Sequence, residues 1–202
     1  MLQTFNKRDP KRFWRWFKRR EKEFLNINDE NIDMIYEKFY KYFNFYNPHI
    51  EVEFFELKKD NRMEITFTAN GNKDLFDSIF TLVNAAPKDL EKRWIINALK
   101  QPRVNEVIIH FDEKTVSSKE IFYELEPSEK DPSMYDVFLN IKGIEYVNEK
   151  FETHVAETMI AVLDAVLGEY LVTMKINELI LVEDGELNYP KTIINIKDDI
   201  KK

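Results

Sequence analysis

Two kinds of hydrophobic period, two residues and 3.6 residues, alternate along this chain and limit what it can fold into. Ile50, Val52 and Phe54 alternate with Glu51 and Glu53. After Lys58-Lys59-Asp60-Asn61, residues Met63, Ile65 and Phe67 alternate with Glu64, Thr66 and Thr68. Such alternation puts apolar side chains on one face of a pleated strand, so the segment reads as an antiparallel hairpin with one wet face. Asn70-Gly71 marks a turn. Leu75, Phe76, Ile79, Phe80, Leu82 and Val83 then recur at helical spacing as far as Ala86-Pro87. Trp94 to Leu99 reads as the next strand, and Val104 to Phe111, after Gln101-Pro102, as another.

The second half follows the same order. Ile121 to Glu126 and Tyr135 to Ile141 read as strands separated by turn residues Pro127 to Pro132. A long helix is expected from about Asn148 to Leu167, with Phe151, Val155, Met159, Val162, Leu163 and Val166 as its buried stripe and Gly168 as a left-handed cap. Strands are expected at Tyr170 to Lys175 and Glu178 to Val182, before Asp184-Gly185. Residues 50–111 and 119–183 thus each read as a ββαββ-like unit. This internal repeat is one of element order, since residue identity between the halves is negligible.

Ahead of them lies a helical hairpin over residues 10–46. Phe13, Trp14, Phe17, Phe24 and Leu25 share one side of a helix that begins near Pro10. Ile32, Ile35, Tyr36, Phe39, Phe43 and Tyr46 form the stripe of a second helix, capped by Asn28 or Asp29 and ended by Asn47-Pro48. The short link makes the two antiparallel, with both stripes facing a sheet. Tyr189-Pro190 sets off a tail, 190–202, in which Ile193, Ile194, Ile196 and Ile200 suit a short helix or strand docked on the body. The expected class is α+β: antiparallel sheets from the two units plus the helical hairpin. A chain of 202 residues, 44% hydrophobic, is long enough to form a single domain over 1–202.

Composition removes several kinds of chemistry. There is no cysteine, hence no disulfide, thiolate metal site or thiol nucleophile. Four glycines, at 71, 143, 168 and 185, cannot supply a phosphate-cradling loop or a GxGxxG fingerprint. No serine lies in GxSxG or SxxK. No run approaches the roughly 18 apolar residues of a membrane span, and the N-terminus lacks the apolar core of a signal peptide. A cytoplasmic protein without cofactor or metal is the expectation.

Charge is unevenly spread. The net charge is −7, yet Lys7 to Glu23 holds nine Lys or Arg against three Asp or Glu, leaving the rest near −13. Arg12, Arg15, Trp16, Lys18, Arg19 and Lys22 are therefore the candidate partner-binding residues. A basic face beside aromatics also suits nucleic acid or an anionic surface. The plainer reading is a docked aromatic stripe with solvated cations on its far side. The strand acids suggest a second, acidic open face on the sheet.

For acid–base or metal chemistry the candidates are His110, His154, Glu157 and Asp164. The last three stand at i, i+3 and i+10 on the long helix. The order His-x-x-Glu reverses the Glu-x-x-His of di-metal bundles, and it has no second copy.

Several segments together resemble a family of uncharacterised bacterial proteins of about 200 residues. They are Phe13-Trp14-x-Trp16-Phe17, Ile50 to Phe55, Ile65-Thr66-Phe67-Thr68-Ala69-Asn70-Gly71, Leu82-Val83-Asn84-Ala85-Ala86-Pro87, Trp94 with Ala98-Leu99-Lys100-Gln101-Pro102-Arg103, and Leu163-Asp164 with Leu167-Gly168-Glu169. The resemblance implies an α+β bacterial cytosolic protein and assigns no activity. The element order is also similar to duplicated ferredoxin-like inhibitor and immunity proteins, an analogy of fold. The leading functional expectation is a non-catalytic protein-binding module of that inhibitor or immunity type, with homo-oligomerisation left open. The alternatives are an enzyme using the His, Glu and Asp residues, or nucleic-acid binding through the basic helix.

Overall fold

The computed structural model describes residues 9–57, 62–103, 106–111, 114–144 and 149–200. The side chains of 56, 57, 111 and 149–152 lie outside that description. The expected turn at 58–61, helix start at Asn148 and stripe position Phe151 fall outside it as well. The fold is α+β, with the N-terminal helical hairpin, and its residues group into two compact units, Met1–Leu99 and Lys100–Lys202.

In the first unit, helix α1 spans Pro10–Phe24. Asp9 caps it by accepting the Lys11 N–H at 2.9 Å, and Pro10 occupies the first turn, where a missing N–H leaves no bond unmade. Helix α2 spans Ile32–Phe43, after a turn in which the Asn28 side chain accepts the N–H groups of Glu30 and Asn31. Strands β1 (Glu51–Leu57) and β2 (Arg62–Thr68) form the expected antiparallel hairpin, with Val52 opposite Phe67 and Phe54 opposite Ile65. A short 3₁₀ turn, Lys73–Leu75, leads into α3 (Phe76–Asn84). Strand β3 (Trp94–Ala98) then joins β2 in parallel, giving the order β1-β2-β3.

The core of this unit is aromatic. Phe13 lies 5.2 Å from Phe43, 5.9 Å from Phe39 and 5.9 Å from Phe67, all edge to face. Each such buried ring contributes about 1.5–3 kcal/mol by leaving water. The two hairpin stripes are buried with three exceptions, Leu25 and Tyr36, half-buried, and Ile32, exposed; in the α3 stripe Phe76, Ile79 and Leu82 are buried and Leu75, Phe80 and Val83 half-buried.

The wet face of the hairpin needs correction at β2. Glu64, Thr66 and Thr68 are buried as well as Met63, Ile65 and Phe67. Glu64 Oε1 accepts Asn97 Nδ2 at 2.9 Å and Thr66 Oγ1 at 3.1 Å. A central strand with short polar side chains can bury both faces when those groups bond one another, so Glu64 belongs to no open acidic surface.

In the second unit, β4 (Ile108–Phe111) and β5 (Lys114–Ser117) make a separate two-stranded hairpin. The strand expected over Val104 to Phe111 is therefore shorter, and it pairs with β5, which the sequence reading lacked. Residues 104 and 105 are outside the description. Strands β6 (Ile121–Pro127) and β7 (Tyr135–Ile141) pair antiparallel, with Tyr123 opposite Leu139. Helix α4 (Glu149–Leu167) carries Val155, Met159, Val162, Leu163 and Val166 into the core, as its period requires.

Tyr170 to Lys175, expected as a strand, is instead part of helix α5 (Glu169–Lys175). Strand β8 (Ile176–Leu181) follows at once and joins β7 in parallel. The tail supplies both expected kinds of structure. Strand β9 (Lys191–Thr192) pairs antiparallel with β6, and α6 (Ile196–Asp199) follows, burying Ile193, Ile196 and Ile200. The sheet order is β8-β7-β6-β9. Each unit thus contains an antiparallel hairpin, a crossover through helix and one parallel strand beside the second hairpin strand. No helix among the described residues is long and apolar enough to cross a membrane.

Candidate functional site

Arg12, Arg15, Arg19 and Lys22 follow one another on α1 at intervals of three, four and three residues. That spacing aligns them in one exposed stripe about 15 Å long. Arg15 lies 4.0 Å from Asp9, at the limit of an ion pair. Lys18 turns away from the stripe and pairs with Asp89 at 2.8 Å, holding that carboxyl below its ordinary value chiefly through the hydrogen bond. Arg12, Arg19 and Lys22 have no acidic partner among the described residues. Glu21, on the same helix, is occupied elsewhere. Its carboxylate accepts Arg93 Nε at 2.6 Å, Arg93 Nη2 at 3.0 Å and Trp94 Nε1 at 2.9 Å. It fastens α1 to the start of β3 and cannot neutralise the stripe.

Trp16 is not a free stacking platform. Its ring lies parallel to Tyr42 of α2, centroids 4.3 Å apart and planes 5° from each other, and it also meets Phe13, Phe24 and Phe39. The Trp16–Tyr42 pair forms the floor of a cleft of about 400 Å³ where α1 faces α2. Arg20, Glu23, Phe24, Lys38, Lys41 and Phe45 complete the lining. Arg20 and Lys38 share Glu23, at 2.9 Å and 3.9 Å, while Lys41 has no acidic partner among the described residues. Phe45 is 64% exposed, with its ring 6.2 Å from Tyr42. Three cations against one acid leave the cleft positive. An exposed aromatic at its mouth gives an incoming group apolar surface as well as charge.

Of the residues lining the cleft, the candidates read from the sequence include only Trp16, and Arg20 and Glu23 of the same helix are not among them. Lys38, Lys41, Tyr42 and Phe45 fall outside the buried stripe of α2, which is the signal that the helical period picks out. The available signal was that Tyr42 and Phe45 are aromatic at positions the helical period leaves facing water.

The acid–base candidates do not converge. His110 is exposed on β4 with Nδ1 2.9 Å from Thr115 Oγ1. His154 and Glu157 are exposed on α4, whereas Asp164, about 15 Å along the helix from His154 and about 10 Å from Glu157, is buried with Lys100 Nζ at 3.5 Å. No group of three or more His, Asp or Glu among the described residues is placed to hold a metal ion.

A second cleft, of about 680 Å³, lies along β6 and the tail, lined by Tyr123, Glu124, Glu126, Tyr135, Tyr189 and Asp199 among others. There the Tyr123 hydroxyl donates to Asp199 Oδ2 at 2.7 Å, and Lys191 Nζ reaches the same oxygen at 2.7 Å. Burial, then the bond to Asp199, pushes the phenol well above its ordinary value. Its proton is held rather than offered, which suits a structural tie between β6 and α6. No family model, curated protein or solved structure matches the chain.

Proposed function

We propose that the protein is a non-catalytic binding module whose helical hairpin takes an acidic segment of another protein. The observation that carries this reading is a set of cations with no acidic partner among the described residues, Arg12, Arg19 and Lys22 along the exposed stripe of α1 and Lys41 in the lining of the cleft that also holds Trp16, Tyr42 and Phe45. Cations already engaged within a fold gain little from a partner. Free ones supply both steering and specificity, and an exposed aromatic in a cleft is the kind of anchor that dominates interface energies. The dispersion of His110, His154, Glu157 and Asp164 supports a binding reading over a catalytic one. The stacking of Trp16 on Tyr42 favours a peptide over single-stranded nucleic acid, because the indole face that a base would use is covered.

The test is fluorescence anisotropy with two labelled probes of equal charge: a Glu-rich peptide containing one Phe, and a single-stranded oligonucleotide. The peptide is expected to bind more tightly, with affinity falling as salt rises. Arg12→Glu/Arg19→Glu/Lys22→Glu and Phe45→Ala are each expected to weaken it at least tenfold. Tighter binding of the oligonucleotide, or peptide binding indifferent to both variants, refutes the proposal.

A further inference from the structure

A strand at the edge of an antiparallel pair directs every second N–H away from its neighbour. In β1 these outward donors include Val52 and Phe54, and α2 meets both. Tyr40 Oη accepts the Val52 N–H at 3.0 Å, and Tyr36 Oη accepts the Phe54 N–H at 3.1 Å. The spacing explains how one helix does this. Four residues of α-helix advance about 6 Å and two residues of strand about 6.8 Å. Two tyrosines at i and i+4 therefore reach two successive outward donors when helix and strand run in opposite senses.

The rings pack as phenylalanines would. Tyr36 meets Phe54 edge to face at 5.6 Å, and Tyr40 meets Phe39 at 5.9 Å. Packing alone thus requires no hydroxyl at either position. The hydroxyls add the occupation of a donor row.

What such a row does when open follows from the segment itself. Glu51-Val52-Glu53-Phe54-Phe55 is rich in strand-forming residues, lacks glycine and proline, and has Phe55 38% exposed. The second unit closes the equivalent edge of its own hairpin by another route, with β9 paired to β6 through Phe122 and Thr192, and Tyr123 and Lys191. Both hairpins are thus guarded on their first strand, one by a short strand and one by tyrosine hydroxyls.

We propose that Tyr36 and Tyr40 form an edge lock, closing a row of β1 donors that would otherwise pair, strand to strand, with β1 of a second copy of this chain. A β1–β1 pairing is self-complementary about a two-fold axis, which makes a closed dimer its simplest product. The lock is independent of the binding cleft, which lies at Trp16, Tyr42 and Phe45 and uses neither tyrosine.

The test is Tyr36→Phe/Tyr40→Phe, which keeps both rings and removes both hydroxyls. Amide hydrogen exchange at Val52 and Phe54 is expected to accelerate at least about fivefold relative to wild type, with Ile65 and Phe67 unchanged. Sedimentation velocity over a concentration series is expected to show the variant associating at a concentration at least about tenfold below wild type. Unchanged exchange at the two amides overturns the lock. Faster exchange without enhanced association also overturns it, since the hydroxyls would then satisfy donors without guarding an edge. Should the double variant fail to fold by circular dichroism, Tyr36→Phe and Tyr40→Phe singly must each release their own amide, Phe54 or Val52, and promote association. Failure of either requirement overturns the proposal.

Discussion

Replacing Gly168 by alanine is expected to destabilise the second unit far more than the same change at Gly143. Gly168 joins α4 to α5 with φ 84° and ψ 146°. That conformation is more extended than the left-handed cap the sequence suggests, and it is essentially closed to residues with a Cβ, at a cost of about 1–3 kcal/mol. An added methyl would also sit 2.9 Å from Pro102 Cδ and 3.2 Å from the Lys100 carbonyl oxygen.

Neither neighbour is placed to retreat. The Lys100 carbonyl accepts the Glu169 N–H at 2.9 Å, the Lys100 N–H donates to the Glu169 carboxylate at 3.1 Å, and the Arg103 N–H is held by Ala165 at 2.9 Å. Overpacking of this kind costs a further 1–3 kcal/mol or so, so the sum is about 4 kcal/mol. Gly143 has φ 74° and nothing within 4 Å of the added carbon, leaving only a conformational cost of about 1–2 kcal/mol.

With a urea m-value near 2 kcal/mol/M, the far-UV circular dichroism midpoint should fall by about 2 M for Gly168→Ala and by less than about 1 M for Gly143→Ala. Tryptophan fluorescence recorded in parallel reports on the first unit, which holds Trp14, Trp16 and Trp94. Equal midpoint shifts in the two variants would refute the argument that the close approach of Pro102 and Lys100 demands glycine.

Trp14→Phe should cost about 1–3 kcal/mol, because the indole N–H donates to the Leu82 carbonyl at 2.7 Å inside the core. Urea unfolding of the first unit measures this, and a loss below about 0.5 kcal/mol contradicts it. Arg12→Glu/Arg19→Glu/Lys22→Glu should change stability by less than about 1 kcal/mol, since none of the three has an acidic partner among the described residues; a larger loss in the same assay would make the stripe structural. Tyr123, raised above its ordinary value of 10.0 by burial and then by its bond to Asp199, stabilises the fold fully below that value. Its contribution fades as pH rises past it, so the fall in stability between about pH 9 and pH 11 should be shallower in Tyr123→Phe. Asp199 behaves oppositely. Lys191 and then Tyr123 hold it below 3.8, so its contribution is present above that pH and is lost as pH falls through the lowered value, and Asp199→Asn should flatten this acid limb.

Much of the α+β architecture is legible along the chain. The stripe Phe13, Trp14, Phe17 and Phe24, the alternation Met63, Ile65 and Phe67, and the helix from Val155 to Val166 are buried as their periods require. Part of the candidate surface is legible too, because a basic stripe at helical spacing is a property of one segment. Its completion by Lys38, Lys41, Tyr42 and Phe45 needed the second helix in place.

A period of two or 3.6 residues decides by itself which side chains of a segment can share a face, and that is what the sequence determined here: the long helices, both large hairpins, and the side each turns inward. Tyr170 to Lys175 shows where this stops. A short apolar run suits a strand or a buried helix equally well, and the reciprocal bonds between Glu169 and Lys100, 69 residues apart, hold the start of that run as a helix. The pairing of β9 with β6, the burial of Glu64 against Asn97 and the capping of β1 by Tyr36 and Tyr40 were likewise decided only in the tertiary structure. Each joins groups that no local period relates, and each satisfies a buried or edge polar group whose partner exists only once the chain has closed on itself.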